Sequence, residues 1–408
     1  MREQLGALAE RNFRLVFSST TISAFGDGVS TIALAFAVLQ ISNNSTIAVS
    51  LVIAARQAAQ TATTLAAGVW ADRLPRHLVL VAAAAVQGTV QCVSGALVLT
   101  HHATVTSLAV LALIYGAADG FVIPASQGLI PSIVSAVRLQ QANALLGVTR
   151  SLLGLLGPSI GGILTGLGSP GAALEVDAAT FAIAALLLLR VVIAARDDTV
   201  VPERFLVELR QGWAEFRRQR WISRTFVFFA LGNFFGSSYG VLGPYMAKKY
   251  YGGAIDWGFI GTAFGVGAVI GGLLALRLKP RRLVVASCLW ALPYGLPTLA
   301  LGLRLPLNLI IGAAALSGIG IALHLALWFT AFQQQVPEVS RSRVSSYDVL
   351  GSFVLIPLGS AVAGSVAALI GAPTTLIAAG CLALASNLLV FVQPSIWNIE
   401  RLPDPMPA

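Results

Sequence analysis

Apolar residues fill most of the chain in stretches of about 20 or more, each interrupted by Pro, Gly or a short charged cluster. A helix of that length crosses a hydrocarbon core of ~30 Å at 1.5 Å per residue. The interruptions predict twelve spans, at 14–40, 46–69, 78–100, 104–127, 143–167, 171–193, 223–247, 257–277, 283–303, 307–332, 346–369 and 373–392. The first run begins near Phe13 and is too long and too rich in Ser and Thr for a cleaved signal peptide. Between the sixth and seventh spans Phe205, Leu206, Leu209, Trp213 and Phe216 recur at helical spacing, with Arg210, Arg217, Arg218 and Arg220 interleaved. That pattern predicts an amphipathic helix lying on an anionic inner leaflet. The expected fold is an all-α membrane protein: twelve transmembrane helices in two pseudo-symmetric six-helix bundles. The expected divisions are 1–195 for the first bundle, 196–221 for a cytoplasmic linker helix, 222–395 for the second bundle and 396–408 for a cytoplasmic tail.

Composition narrows the class. Of 408 residues 56% are hydrophobic and 11% charged, too little charge to cover a soluble domain of this length. The net charge of +9 does not point to nucleic acid, because the basic residues lie between spans. Of the 26 Lys and Arg, 21 fall on the side holding the N-terminus and 3 on the other, while Arg56 and Arg150 lie within spans. By the positive-inside rule both termini and the middle loop are cytoplasmic, in a multi-pass protein of the inner membrane. Cys92, Cys288 and Cys381 sit far apart in apolar runs and show neither disulfide nor metal spacing, so no metal or cofactor is expected.

The charged residues inside spans are functional candidates, since an unpaired charge at midplane is costly. Asp27 is 13 residues after Arg14, ~20 Å up its helix, and Arg56 is 12 residues before Gly68, ~18 Å up the next; the two can meet. Asp119 and Arg150 each lie ~11 Å from the cytoplasmic edge and form a second possible pair. Burial opposes the charged form of a carboxyl and a nearby arginine favours it. An Asp whose arginine moves away therefore takes up a proton, and Asp27 is the first choice for that coupling. A permanent salt bridge, or direct contact with a cationic substrate, are its other readings. For Asp119 a structural pair with Arg150 is preferred, or with the arginines of the loop after span two, and proton coupling through Asp119 and Arg150 is the other reading. His324 can titrate near neutral pH, but a lone His in an apolar helix is more often hydrogen-bonded packing. Glu175, Asp177 and Asp256 lie near outer ends of spans and are expected to be solvated. Asn43-Asn44-Ser45-Thr46 contains glycosylation sequons but reads as a tight turn.

Two motifs stand out. Gly68, Asp72, Arg73 and Arg76 follow Gly-x-x-x-Asp-Arg-x-x-Arg in the loop after span two, and Gly157-Pro158-Ser-Ile-Gly161-Gly162, preceded by Gly154, lies in span five. The chain resembles the major facilitator superfamily of secondary transporters on both. The first motif is similar to the loop signature between spans two and three, with Pro75 where Gly is usual and His77 where a second basic residue is usual. That resemblance implies a latch in which Asp72 meets the start of span eleven, here about Ser345 to Asp348. The second is similar to the antiporter signature of exporters, without its longer upstream glycine spacing. Gly26-Asp27-Gly28, Pro124-Ala125, Pro131 and the segment from Gln333 to Val344 extend the likeness to the drug/proton antiporters that include macrolide and siderophore exporters. The resemblance implies a central cavity lined by spans one, four, seven and ten, whose candidates are Phe25, Asp27, Tyr115, Asp119, Asn233, Phe234, Tyr239, His324 and Trp328. It implies a monomeric, proton-coupled exporter of amphipathic or hydrophobic small molecules working by alternating access. An importer or symporter of a nutrient, and a non-transporting scaffold or sensor, are the other readings. A membrane enzyme is disfavoured, because the sequence carries no metal-ligand cluster and no nucleophile-base motif.

Overall fold

The structure is a computed structural model that describes residues 3–70, 75–192, 213–337, 344, 347–348 and 351–401. It is helical throughout, with no strand among the described residues. The first six spans are α1 (Arg11–Ile41), α2 (Thr46–Trp70), α3 (Arg76–Leu99), α4 (Val105–Asp119) continued by α5 (Val122–Ile133), α6 (Leu139–Ile163) and α7 (Pro170–Leu188). The second six are α8 (Arg220–Tyr250), α9 (Ala254–Ala275), α10 (Leu283–Ala291) continued by α11 (Leu296–Gly302), α12 (Leu307–Gln335), α13 (Ile356–Ile370) and α14 (Ala372–Leu389). Eleven of these spans are long and apolar enough to cross a membrane, and the 25-residue α2 is the twelfth.

Local chemistry sets the ends. Asn43 and Asn44 both adopt positive φ between α1 and α2, which Asn tolerates better than other residues with a side chain, and they make the expected turn. Thr104 and Ser107 form a reciprocal capping box at the start of α4. Ser169 accepts from the Ala172 N–H, and Pro170 opens α7 where no N–H is needed. Two spans are broken internally. The fourth breaks at Gly120-Phe121, directly after Asp119, and the ninth passes through a 3-10 turn at Leu292–Gly295 that contains Pro293, with Pro297 in the first turn of the helix that follows. Span five ends in a π-helical turn, Leu164–Gly168.

The chain divides into two compact units. The first holds Met1–Thr199 with Pro244–Thr262, the end of α8 and the start of α9. Within it α1 packs on α6 and α7, α2 on α4, and α3 on both α4 and α7. The second holds Val200–Gly243 and Ala263–Ala408. In it α10 packs on α12, and α14 on α11 and α13. Of the linker, residues 213–218 are helical; Phe205, Leu206, Leu209 and Arg210 lie outside the described residues. Phe216 is buried, with its ring centroid 5.4 Å from that of Phe226 and 5.8 Å from that of Tyr347, while Arg217 and Arg218 are exposed. The apolar side of this described piece therefore rests on protein.

Candidate functional site

Three consecutive residues of α1 face three different neighbours. At Gly26 a Cβ would collide with the Asp177 carboxyl and the Thr180 hydroxyl of α7. Asp27 turns to α2 and α4: Tyr115 donates its hydroxyl to Asp27 Oδ1, and Arg56 Nη2 is 3.8 Å from the same oxygen. Gly28 meets α6, where a Cβ on it would lie 2.9 Å from the Gly157 Cα. Successive helical residues are about 100° apart, so three neighbours in a row require two side chains to be absent.

The expected Asp27–Arg56 meeting is present, and Tyr115 completes it. The Arg56 guanidinium carbon sits 4.1 Å above the Tyr115 ring, a cation–π contact that adds to its charge pairing. Gly116 makes this possible, because a side chain there would run into the Arg56 backbone carbonyl. The Asp27 side chain is 37% exposed, although the residue lies in the middle of a 31-residue helix.

Asp119 and Arg150 are not brought together. Asp119 accepts from Gln60 Nε2 at 2.6 Å and from Gln87 Nε2 at 3.3 Å, while Arg150 is exposed on α6. Equal depth did not imply contact: α4 packs on α2 and α3, whereas α6 packs on α1. Asp177, expected to be solvated, is instead fully buried. Gln91 Nε2 donates to its Oδ2 at 2.6 Å, and its Oδ1 is 3.3 Å from Thr180 Oγ1. Gln87 and Gln91 are four apart on α3, so one helix face serves two carboxyls. Sequence reasoning passed over Gln60, Gln87 and Gln91; the i, i+4 pair of amides in an apolar helix was the signal available. Asp256 accepts from the Gly252 N–H at 2.6 Å, just before the start of α9.

The span-five motif is a contact surface. Gly157 meets Gly28, Gly161 meets the Val29 backbone, and Gly162 meets Ala254 and Gly258 of α9. The Gly258 position in turn faces the Pro158 carbonyl, and the Ser159 and Thr262 hydroxyls are 2.5 Å apart. Gly154 differs, with nothing within 4 Å of a Cβ placed there. Of the loop motif, Gly68 falls within α2, Asp72 and Arg73 lie outside the described residues, and Arg76 Nη1 donates to the Gly128 carbonyl at 2.7 Å. Nearby, Glu10 accepts from the Ser135 hydroxyl at 2.8 Å and its N–H at 3.2 Å, and pairs with Arg138 at 3.3 Å. The Ser135 hydroxyl foremost holds the Glu10 carboxyl below its ordinary range.

The cavity candidates divide into two sets. Tyr115, His324 and Trp328 are buried and engaged inside their own units. His324 Nδ1 lies 2.9 Å from Ser287 Oγ and 3.1 Å from the Ser287 carbonyl oxygen, and Trp328 Nε1 donates to Asp348 Oδ2 at 2.9 Å. Phe25, Asn233, Phe234 and Tyr239 are half-buried. Asn233 donates to the Ser352 carbonyl at 3.0 Å, and Phe234 meets Phe235 edge-on at 5.1 Å.

Among the described residues, eleven apolar spans and the further helix α2, with carboxyls and an arginine held inside the first unit, fit the class of multi-pass secondary transporters. The sequence model of the transmembrane secretion effector family matches residues 3–401. The chain belongs to that family, within the major facilitator superfamily. Its relatives include the enterobactin exporter EntS of Escherichia coli O127:H6 (strain E2348/69 / EPEC) and that of Shigella dysenteriae serotype 1 (strain Sd197). Each is 27% identical over 410 residues, covering 97% of this chain and 95% of the relative. Among solved structures, a bacterial homologue of the lysosomal transporter Spinster aligns with a TM-score of 0.74 at 14% identity, covering 96% of this chain and 99% of that one. The nucleoside transporter NupG aligns at 0.71 and 13% identity, covering 94% and 98%. These likenesses show the fold; the family makes the chain a transporter of small molecules with an export role.

Proposed function

We propose that the protein exports an amphipathic or hydrophobic small molecule across the inner membrane in exchange for protons. Its termini would lie in the cytoplasm and it would act as a monomer. The observation that carries this reading is the Asp27–Tyr115–Arg56 arrangement: an acid in mid-span, partly exposed, with one cation 3.8 Å away and one hydroxyl donor. In the ionised state Arg56 and the Tyr115 hydroxyl stabilise the carboxylate. A conformation that withdraws either partner leaves a charge in a poorly solvated place, and protonation of Asp27 removes that cost. Proton uptake on one side and release on the other then follows from alternating access, with the glycine contacts of α6 against α1 and α9 as surfaces close enough to slide. One proton crossing ~180 mV yields ~4 kcal/mol at about 2.3 kcal/mol per 100 mV. At about 1.4 kcal/mol per tenfold this sustains roughly a thousandfold gradient of a neutral substrate.

In the second unit Phe234 and Tyr239 offer broad apolar contact and Asn233 offers one directional group, and in the first unit Phe25 offers a further aromatic ring, a set of groups suited to amphipathic compounds over sugars. The relatives named as enterobactin exporters bring a siderophore into the panel to be tested. The test is proton movement in energised inside-out vesicles, followed by a pH-sensitive dye while amphipathic compounds, enterobactin among them, are added. Substrate-induced proton release that is lost in Asp27→Asn supports antiport. Export unaffected by collapsing the proton gradient would sink it.

A further inference from the structure

Asp177 takes no part in the coupling step just described, yet among the described acids of the first unit it is the most enclosed, with 0% of its surface exposed. It lies seven residues after Pro170, ~10 Å into α7. Its partners are neutral: the Gln91 amide, the Thr180 hydroxyl, and Ser30 on α1. No described cation forms an ion pair with it. Around it stand Asp27 on α1 and Arg56 on α2, whose charges act on it without contact, and Tyr115 on α4. On its own helix Glu175 turns instead to Cys92 of α3, and Asp119 of α4 is held by Gln60 and Gln87.

Two geometric facts give this carboxyl a use. The first is enclosure without a counter-charge. The Gln91 amide donates to Oδ2, and the Thr180 hydroxyl, 2.7 Å from the Asp177 carbonyl oxygen and 3.3 Å from Oδ1, is a donor shared between the two. With none of its surface exposed and no described cation paired to it, the carboxyl is less costly to hold neutral and protonated than charged. The second is the missing side chain at Gly26. It admits the Asp177 carboxyl to the surface of α1 beside the residue that carries Asp27. Ser30, one turn further along that same face, reaches the Asp177 carboxyl and donates to the Asp27 carbonyl at 3.3 Å.

We propose that Asp177 is a second proton-carrying carboxyl of the coupling network, exchanging its proton with Asp27 past the open face of α1 at Gly26. In the exchange an O–H bond breaks at the Asp177 carboxyl and one forms at an Asp27 carboxylate oxygen. The pair holds one proton and one negative charge before and after, and Arg56 and Tyr115 keep theirs. Asp27 meets the outside, and Asp177 keeps a proton in reserve within the sealed side. The inference rests on the proton-coupled reading above.

Infrared spectroscopy of the full chain in lipid vesicles tests it without any substrate, because a neutral carboxylic acid has a C=O stretching band distinct from that of a carboxylate. Wild type is expected to show this band at neutral pH. Asp177→Asn, which preserves shape and the Thr180 and Ser30 neighbours, removes it. Asp27→Asn retains it but moves its titration midpoint by about one pH unit or more, as expected of interacting sites. Gly26→Ala, which pushes the carboxyl off α1 without deleting it, shifts the band and uncouples its midpoint from Asp27; this variant and Asp177→Glu serve if Asp177→Asn does not fold. A band untouched by Asp177→Asn, or a midpoint indifferent to Asp27, overturns the proposal. In a second arm ethidium is added to energised inside-out vesicles. Proton release in Asp177→Asn with a wild-type pH profile overturns the role of Asp177 and leaves the antiport reading standing. If the wild type fails with every compound of the panel, the antiport reading falls, and the infrared result alone still decides whether Asp177 and Asp27 share a proton.

Discussion

Spans one and ten each carry one titratable side chain into the middle of a unit, Asp27 and His324, and their surroundings differ. Asp27 has an arginine, a tyrosine hydroxyl and two further acids on neighbouring helices, and 37% of its side chain is exposed. His324 is 9% exposed, wedged between Phe229 and Trp328, with its Nδ1 and backbone carbonyl both occupied by Ser287. A group that must change charge during a cycle needs partners that can leave and a route for the proton. A group whose hydrogen bonds are all local and surrounded by rings is a fixed part of the packing. On the proposed antiport, this contrast puts coupling in the first unit and leaves His324 as aromatic packing in the second.

The largest effect should come from the two residues themselves. Asp27→Asn is expected to reduce substrate-induced proton release by ~100-fold or more, the scale of a lost proton-transfer group, while His324→Gln stays near wild type in the same dye assay. A His324 variant as defective as the Asp27 variant would break the contrast. Next come the glycines. Gly28→Val forces a side chain against Gly157 and should cost about 1–3 kcal/mol, as overpacking does. Gly154→Ala, in open space, should leave the protein equal or more stable. Thermal unfolding in detergent separates the two, and equal behaviour would mean that the α1–α6 contact does not bear on stability.

A smaller change is expected from Ser287→Ala, which leaves His324 Nδ1 with the backbone alone and should cost about 1 kcal/mol without altering the pH profile of transport. A shifted profile would give His324 a titrating role after all. The smallest effect belongs to Glu10→Gln at the surface, below about 1 kcal/mol. Because Glu10 is held below its ordinary range in the folded protein, its contribution is full above the unfolded value and is lost as pH falls through the folded one. The difference in thermal midpoint between wild type and Glu10→Gln should therefore close on acidification.

The spans, the Asn43-Asn44 turn and the Asp27–Arg56 meeting were legible in the sequence because each depends on one coordinate, distance along a helix. Arg56 and Asp27 come out at matching heights from residue counts alone. Asp119 and Arg150 do too, and they do not meet, because height says nothing of the direction in which a side chain leaves the helix. Direction depends on which helices pack together, and that is decided by backbone-to-backbone contacts such as Gly116 on Arg56 and Gly120 on Gln60. Asp177 was misplaced for a related reason. Its position near the outer end of a span suggested water, but the Gln91 side chain of α3 and the gap at Gly26 enclose it. The Asp72 latch falls outside the described residues.

Gly26, Asp27 and Gly28 also determine what span one can tolerate in length. A substitution at any of them disturbs one neighbour. A single inserted or deleted residue just upstream would turn all three by ~100° at once, swinging the acid toward α6 or α7 and presenting a side chain where none fits. The turn at Asn43-Asn44, by contrast, can lengthen without changing what any helix faces. Natural length variation among relatives should then collect in the hairpins and be absent from the first half of span one, and a scan of one-residue insertions would chart the same boundary.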